Sequence, residues 1–198
     1  MNKSVSKDID KKRKVFEAAT RLFAQKGFDK TTVDEIAESA EVAKGTVYYY
    51  FKGKEDIFLF LVEEGIAILK TRVTDALQDN QDNTRRALQQ LFAVQLGFLH
   101  EYQDVCRIVL ADVWGISSRQ EKLQELLNDY YLVVGTIIEQ GIKEGVLYPQ
   151  NSEVLCTAIF GMTVVVALHF LNKDKPVPWQ EIENQLNQLF MRGVVKPV

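Results

Sequence analysis

Proline, cysteine and histidine are scarce in this chain, and each scarcity excludes something. Four prolines in 198 residues, with few β-branched alternations, leave helices uninterrupted and argue against a sheet fold. The two cysteines, Cys106 and Cys156, sit in apolar contexts and read as reduced core residues rather than a disulfide. The two histidines, His100 and His169, stand in no metal-ligand spacing with a cysteine, so no metal is expected. There is no Gly-rich phosphate loop, and no nucleophile–base or carboxylate pair stands out; neither catalysis nor a cofactor is expected. Met1 to Asp10 is polar and has no apolar stretch of a secretory leader. The longest apolar run, Ala158 to Leu171, contains His169 and is shorter than a bilayer span. A cytoplasmic protein with no membrane partner is the expectation.

Apolar residues at helical spacing run through most of the chain, which predicts an all-α fold. The net charge of −3 counts at first against a nucleic-acid partner. The distribution of charge points the other way. Residues 1–54 carry 12 Lys/Arg against 8 Asp/Glu, a net +4, whereas residues 55–198 carry 12 against 19, a net −7. A basic head on an acidic body is the asymmetry of a DNA-binding domain joined to a sensing domain. The expected division is a helix-turn-helix head with a basic arm over residues 1–53 and a ligand-binding and dimerisation body over residues 54–198.

The head turns on the stretch from Thr31 to Lys54. Thr32 followed by Glu35 predicts a capping box at the start of a first short helix, on which Ile36, Ala37 and Ala40 form a small apolar stripe. Glu41-Val42-Ala43 is too short to be an element, so a second helix must start almost at once. Val47 and Phe51 share its inner face, while Thr46, Tyr49 and Tyr50 lie opposite, with Tyr48 beside them. At the leading end Ala43 and Gly45 are small enough to let the backbone near DNA, and Lys44 and Thr46 supply donors. The plain alternative is that the tyrosines are half-buried packing residues. Three consecutive tyrosines cannot all face one core, because successive helical residues point about 100° apart. One at least is exposed, and a tyrosine hydroxyl commonly meets a phosphate. Lys54 places a cation at its own helix start, unfavourable for the dipole unless an anion is bound there.

From Lys12 to Leu61 the chain resembles the DNA-binding module of the TetR/AcrR family of bacterial transcriptional regulators. The matching residues are Ala18-Ala19, Leu22-Phe23, Gly27-Phe28, Thr31-Thr32-Val33, Ile36-Ala37, Ala40, Val42, Lys44 to Phe51 and Lys54-Glu55; Tyr50 stands where the family often has histidine. The resemblance implies a ligand-responsive repressor that binds a palindromic operator in double-stranded DNA. It implies contacts from Thr32, Val33, Ala43, Lys44, Gly45, Thr46, Tyr48, Tyr49 and Lys54, with Thr46 reading bases, and Tyr49, Thr32 and Lys54 meeting phosphates. It also implies a homodimer through the last two long helices.

Periodicity divides the rest into helices: Asp8 or Ile9 to Lys26 behind a flexible basic arm, Lys54 to Leu77, Thr84 to Tyr102, Val105 to Gly115, Gln120 to Glu144, Ser152 to Leu171, and a last one opened by Pro178 and closing near Arg192. The resemblance places a cavity for a small hydrophobic effector in the body. Phe98, Tyr102, Trp114, Tyr130, Tyr131, Met162 and Phe170 are its candidate lining, with Gln95, His100 and Asp112 as orienting polar groups. Each aromatic taken alone reads equally well as core. The reading from a different class is a helical small-molecule-binding protein or enzyme whose N-terminal helices do not bind DNA.

Overall fold

The structure, a computed structural model, describes residues 3–107, 117–173 and 175–196, the side chains of residues 3–9 and 117–118 aside. Its helices are α1 (Lys3–Lys26), α2 (Val33–Ser39), α3 (Lys44–Tyr50), α4 (Lys54–Gln78), α5 (Thr84–Glu101), α6 (Ser117–Lys143), α7 (Ser152–Leu171) and α8 (Trp179–Val194). α1 begins at Lys3, so the segment expected to be a flexible arm is mostly helix. Residues 103–107 are helical, and the remainder of the expected Val105–Gly115 helix, with Asp112 and Trp114, lies outside the described residues.

Two compact units emerge. One contains Met1–Gly65 and Asp104–Leu123, the other Ile66–Gln103 and Gln124–Val198. The boundary expected at residues 53/54 falls inside the first unit, because the opening turns of α4 belong to it. α4 and α6 each contribute to both units.

In the first unit the core is Val15, Ala18, Ala19 and Phe23 of α1, Ile36 and Ala37 of α2, Val47 of α3 and Ile57, Phe58 and Leu61 of α4. α1 stops at Gly27, whose φ of +82° suits the left-handed cap position. The turn between α2 and α3 is made by Glu41 at φ +55°, a conformation uncommon for a residue with a side chain.

In the second unit α5 is central and packs on both α7 and α8. Its stripe of Ala87, Leu88, Leu91, Phe92 and Leu96 is buried, with the Phe92 ring 5.5 Å from that of Phe190. Asn151 caps α7 by accepting the Val154 N–H, whereas Pro178 stands one residue ahead of α8 as its N-cap. An antiparallel bridge between Leu147 and Val195 closes the end of the unit.

α7 spans Ser152–Leu171, the bounds its spacing predicts, and its 20 residues are long and apolar enough by length and composition to cross a membrane, although the continuous apolar run inside it is shorter than a bilayer span. A core or interface helix of a non-membrane protein satisfies the same test. Val154 and Val165 of α7 and Leu189 of α8 are exposed, and Val166, Phe170, Ile182, Leu186 and Leu189 line a cleft of about 230 Å³.

Candidate nucleic-acid interface and the interior of the body

The helix-turn-helix is locked by polar contacts that leave one side of α3 clear. Thr32 and Glu35 form the expected capping box: the Thr32 hydroxyl accepts the Glu35 N–H at 3.3 Å, and Glu35 accepts the Thr32 N–H at 2.9 Å. Glu35 also accepts from the Lys26 ammonium, which ties α1 to α2. That lysine, with the two Thr32 bonds behind it, holds the Glu35 carboxyl down at about 2. Arg21 donates to the Ser39 hydroxyl at 2.7 Å and makes a second α1–α2 tie. Lys44 donates to Asp34 at 2.7 Å, joining α3 to α2, and the carboxylate raises the lysine's pKa.

On α3 itself Val47 is buried, while Ala43, Lys44 and Gly45 are exposed and Thr46 is half-buried. Tyr49 is 81% exposed and Tyr48 48%, so the packing explanation fails for both. Tyr50 is the one that packs: its ring meets Tyr49 and Phe51 edge-on, and the Lys12 ammonium lies 5.6 Å from its centre. Lys11, Gly45, Thr46, Tyr49 and Tyr50 surround an open depression of about 330 Å³. A lysine, a hydroxyl and two phenols around one shallow concavity suit a phosphodiester backbone. Ala43, the N-cap, supplies no side-chain hydrogen bond.

Two expected phosphate clamps are engaged elsewhere. The Thr32 hydroxyl donates its proton to Glu35 at 2.8 Å and its N–H is taken by the same carboxylate. The Lys54 ammonium donates to the carbonyls of Phe28 and Asp29 at 2.8 and 3.0 Å and lies 4.4 Å from the Phe28 ring centre. Those carbonyls answer the misfit at the α4 start, and one ammonium N–H is left over. Val33 opens α2 half-buried.

Sequence reasoning missed Arg119. Its side chain, 3% exposed, forks onto both oxygens of Glu55 at 2.7 Å. The guanidinium also stacks 4.3 Å from the ring centres of both Phe28 and Phe58. This pairing lowers the Glu55 pKa and fixes the start of α6 on the unit that holds the helix-turn-helix.

The body's candidate lining does not converge on one place. Gln95, Phe98 and Tyr130 are buried, and Tyr131 and Met162 are half-buried. Tyr131 and Tyr130 both lie against Phe160, a residue the sequence did not single out. His100 is exposed and stacked on Trp179 at 5.0 Å, and Tyr102 lies under Arg72, which is itself bidentate to Glu101. Phe170 opens onto the α7–α8 cleft and carries Lys173 over its ring. Burial pushes the Cys106 thiol up to about 12 and the Cys156 thiol up to about 11, so neither is a nucleophile at neutral pH.

The chain resembles known proteins in both sequence and fold. Residues 15–61 match the model for bacterial regulatory proteins of the tetR family, and residues 81–194 match that for a tetracyclin repressor-like C-terminal domain. The HTH-type transcriptional regulator YttP of Bacillus subtilis is 34% identical over 141 residues, 69% of this chain and 67% of its own. The HTH-type transcriptional repressor KstR2 of Mycobacterium tuberculosis is 23% identical over 184 residues, 92% of each chain. A Clostridium perfringens structure assigned as a fatty acid metabolism regulator superposes with a TM-score of 0.80 at 31% identity, covering 93% of this chain and 100% of its own.

Proposed function

Because this chain belongs to the TetR family of bacterial regulatory proteins, we propose that α3 reads its operator and that the body answers to a small apolar effector. The protein is a ligand-responsive transcriptional regulator that binds DNA and dimerises; it is not an enzyme, and the reading in which the N-terminal helices ignore DNA is set aside. Thr46 is the base-reading residue and Gly45 and Ala43 let the backbone close on the groove. Lys44, Tyr48 and Tyr49 hold phosphates, with Lys11 beside them. Lys54 adds its charge and one remaining N–H, while Thr32 and Val33 act by setting α2. The observation that carries this assignment is the bare outer face of α3, two large exposed tyrosines over a well-packed Val47.

The exposed apolar residues of α7 and α8 are the proposed dimer seam. A twofold dimer sets two α3 helices about one DNA turn apart, roughly 34 Å, and predicts a palindromic operator. The bacterial cytoplasm, where the chromosome lies, is its proposed place of work. Ligand releases the operator by binding better to the conformation whose α3 spacing does not fit DNA. The fatty acid assignment of the Clostridium perfringens relative agrees with an apolar effector.

The test is binding to DNA fragments from beside the protein's own gene across a range of salt. Saturable binding to one palindrome is expected, with a log–log salt slope of about −0.9 for each phosphate neutralised. Thr46→Ala is expected to relax base preference at one position of each half-site. Salt-insensitive binding, or none to any fragment by folded dimer, sinks the assignment of α3.

A further inference from the structure

Two polar side chains in the body are buried with nothing to bond to. Gln95 of α5 is 2% exposed, and neither its amide nitrogen nor its oxygen has a hydrogen-bond partner. Tyr130 of α6 is 0% exposed, and its hydroxyl is likewise alone. Thr20 and Asn187 each hide one unpaired oxygen too, but both residues reach the surface. Among the described residues the other buried polar side chains of the body are satisfied: the Thr84 hydroxyl bonds Glu144, and Thr163 donates to the Ile159 carbonyl at 2.8 Å. No buried charged side chain is described in this unit, since Arg119 belongs to the other. Both orphans stand on elements that meet α7. α5 packs along it, and the Tyr130 ring lies 5.6 Å from that of Phe160.

A core selected only for folding would carry leucine and phenylalanine at these two positions. Those residues fill similar space and leave no group stripped of water without a partner. Retaining an amide and a phenol there points to a partner that comes and goes. We propose that Gln95 and Tyr130 receive a ligand with an apolar body and one uncharged hydrogen-bonding group, a carbonyl or a hydroxyl, against the rings of Tyr131 and Phe160. This rests on the reading of the body as an effector-binding unit and names the chemistry of its effector. The amide offers both donor and acceptor, and the phenol offers a donor. Burial keeps that phenol protonated. An ionised head group would lose its water there with no countercharge to meet it, which disfavours carboxylates and amines.

The experiment is calorimetric titration of the full chain with four probes of one chain length: methyl decanoate, 1-decanol, decanoate at alkaline pH and decylammonium. It is run on the wild type, Gln95→Leu and Tyr130→Phe, with operator binding of the wild type measured alongside. The ester, the alcohol or both are expected to bind at least tenfold more tightly than either ion, and which of them binds separates a carbonyl ligand from a hydroxyl one. Each substitution is expected to weaken the neutral probes by about tenfold while raising the Tm of the ligand-free protein. Ions binding as well as the neutral chains, no probe binding, or variants binding as tightly as wild type would overturn the proposal. Salt-dependent operator binding in the same preparation keeps the regulator assignment standing in that event; its loss on every fragment counts against the regulator instead.

Discussion

The two units treat polar groups in opposite ways. Around the helix-turn-helix, Lys26, Glu35, Arg21, Ser39, Asp34 and Lys44 are paired with one another at the surface, and the aromatic rings of Tyr48 and Tyr49 are left in water. In the body Arg72 and Glu101 pair at the surface too, but apolar Val154, Val165 and Leu189 are exposed, and the fully buried side chains without a partner, Gln95 and Tyr130, are inside. A unit that meets a large charged partner presents a rigid outer face. A unit that surrounds a small partner holds unmet bonding capacity within. Residues of the two kinds should therefore fail differently when substituted: the outer face through binding alone, the interior and its supports through stability.

The sharpest blow to the body's packing is Gly141→Val. A Cβ at Gly141 would stand 2.8 Å from the Thr84 methyl and 3.0 Å from the Leu147 side chain. A loss of about 3 kcal/mol is expected in urea unfolding, against a gain of about 0.5 kcal/mol for Gly97→Ala, where the added methyl meets open space. In the first unit, Arg119→Ala strips Glu55 of its partner and Phe28 and Phe58 of their cation, and about 2 kcal/mol should go. Arg119→Lys should recover only part, because an ammonium cannot fork onto both carboxylate oxygens. Stability unchanged by either Arg119 variant would break the comparison, since that residue is the head's one deeply buried ion described.

Tyr49→Phe is the complementary case. Operator affinity should fall by about three- to tenfold with no shift in Tm, since the hydroxyl lost stands on an exposed ring and supports no packing. Equal affinity would remove Tyr49 from the proposed phosphate contacts. Lys44→Ala should flatten the salt slope by about one unit, whereas Lys54→Ala should also lower Tm, because that ammonium holds the carbonyls of residues 28 and 29. The smallest effect is one of pH. The folded Glu35 carboxyl is depressed from 4.5 to about 2, so the stability it lends is present above pH 4.5 and drains away as pH falls toward 2. Glu35→Gln keeps the capping geometry and removes the charge; its acid unfolding curve should be flatter across that window.

What could be read from the chain alone was what local spacing encodes. The Thr32–Glu35 box, the bounds of α7 and the exposure of at least one of the three tyrosines all follow from residues within a turn or two of each other. The union of Arg119 with Glu55 joins residues 64 apart, and no local pattern announces it. Lys54 was legible as a cation in an unfavourable place but not as one already answered by carbonyls of the α1–α2 turn. The candidate lining came from aromatic composition, which does not say which way a ring points; so His100, on the outer face of α5, was grouped with Gln95 on the inner one.

The bond between Lys44 and Asp34 has a consequence in time. A lysine that reaches for a phosphate must first leave a carboxylate 2.7 Å away, and the carboxylate then faces a polyanion uncompensated. Part of the attraction is returned as repulsion once the complex has formed. Affinity given up in this way appears mainly as a faster off-rate. Where Lys44 makes the proposed phosphate contact, Asp34 would shorten residence on DNA, and Asp34→Asn is expected to slow the off-rate from the operator.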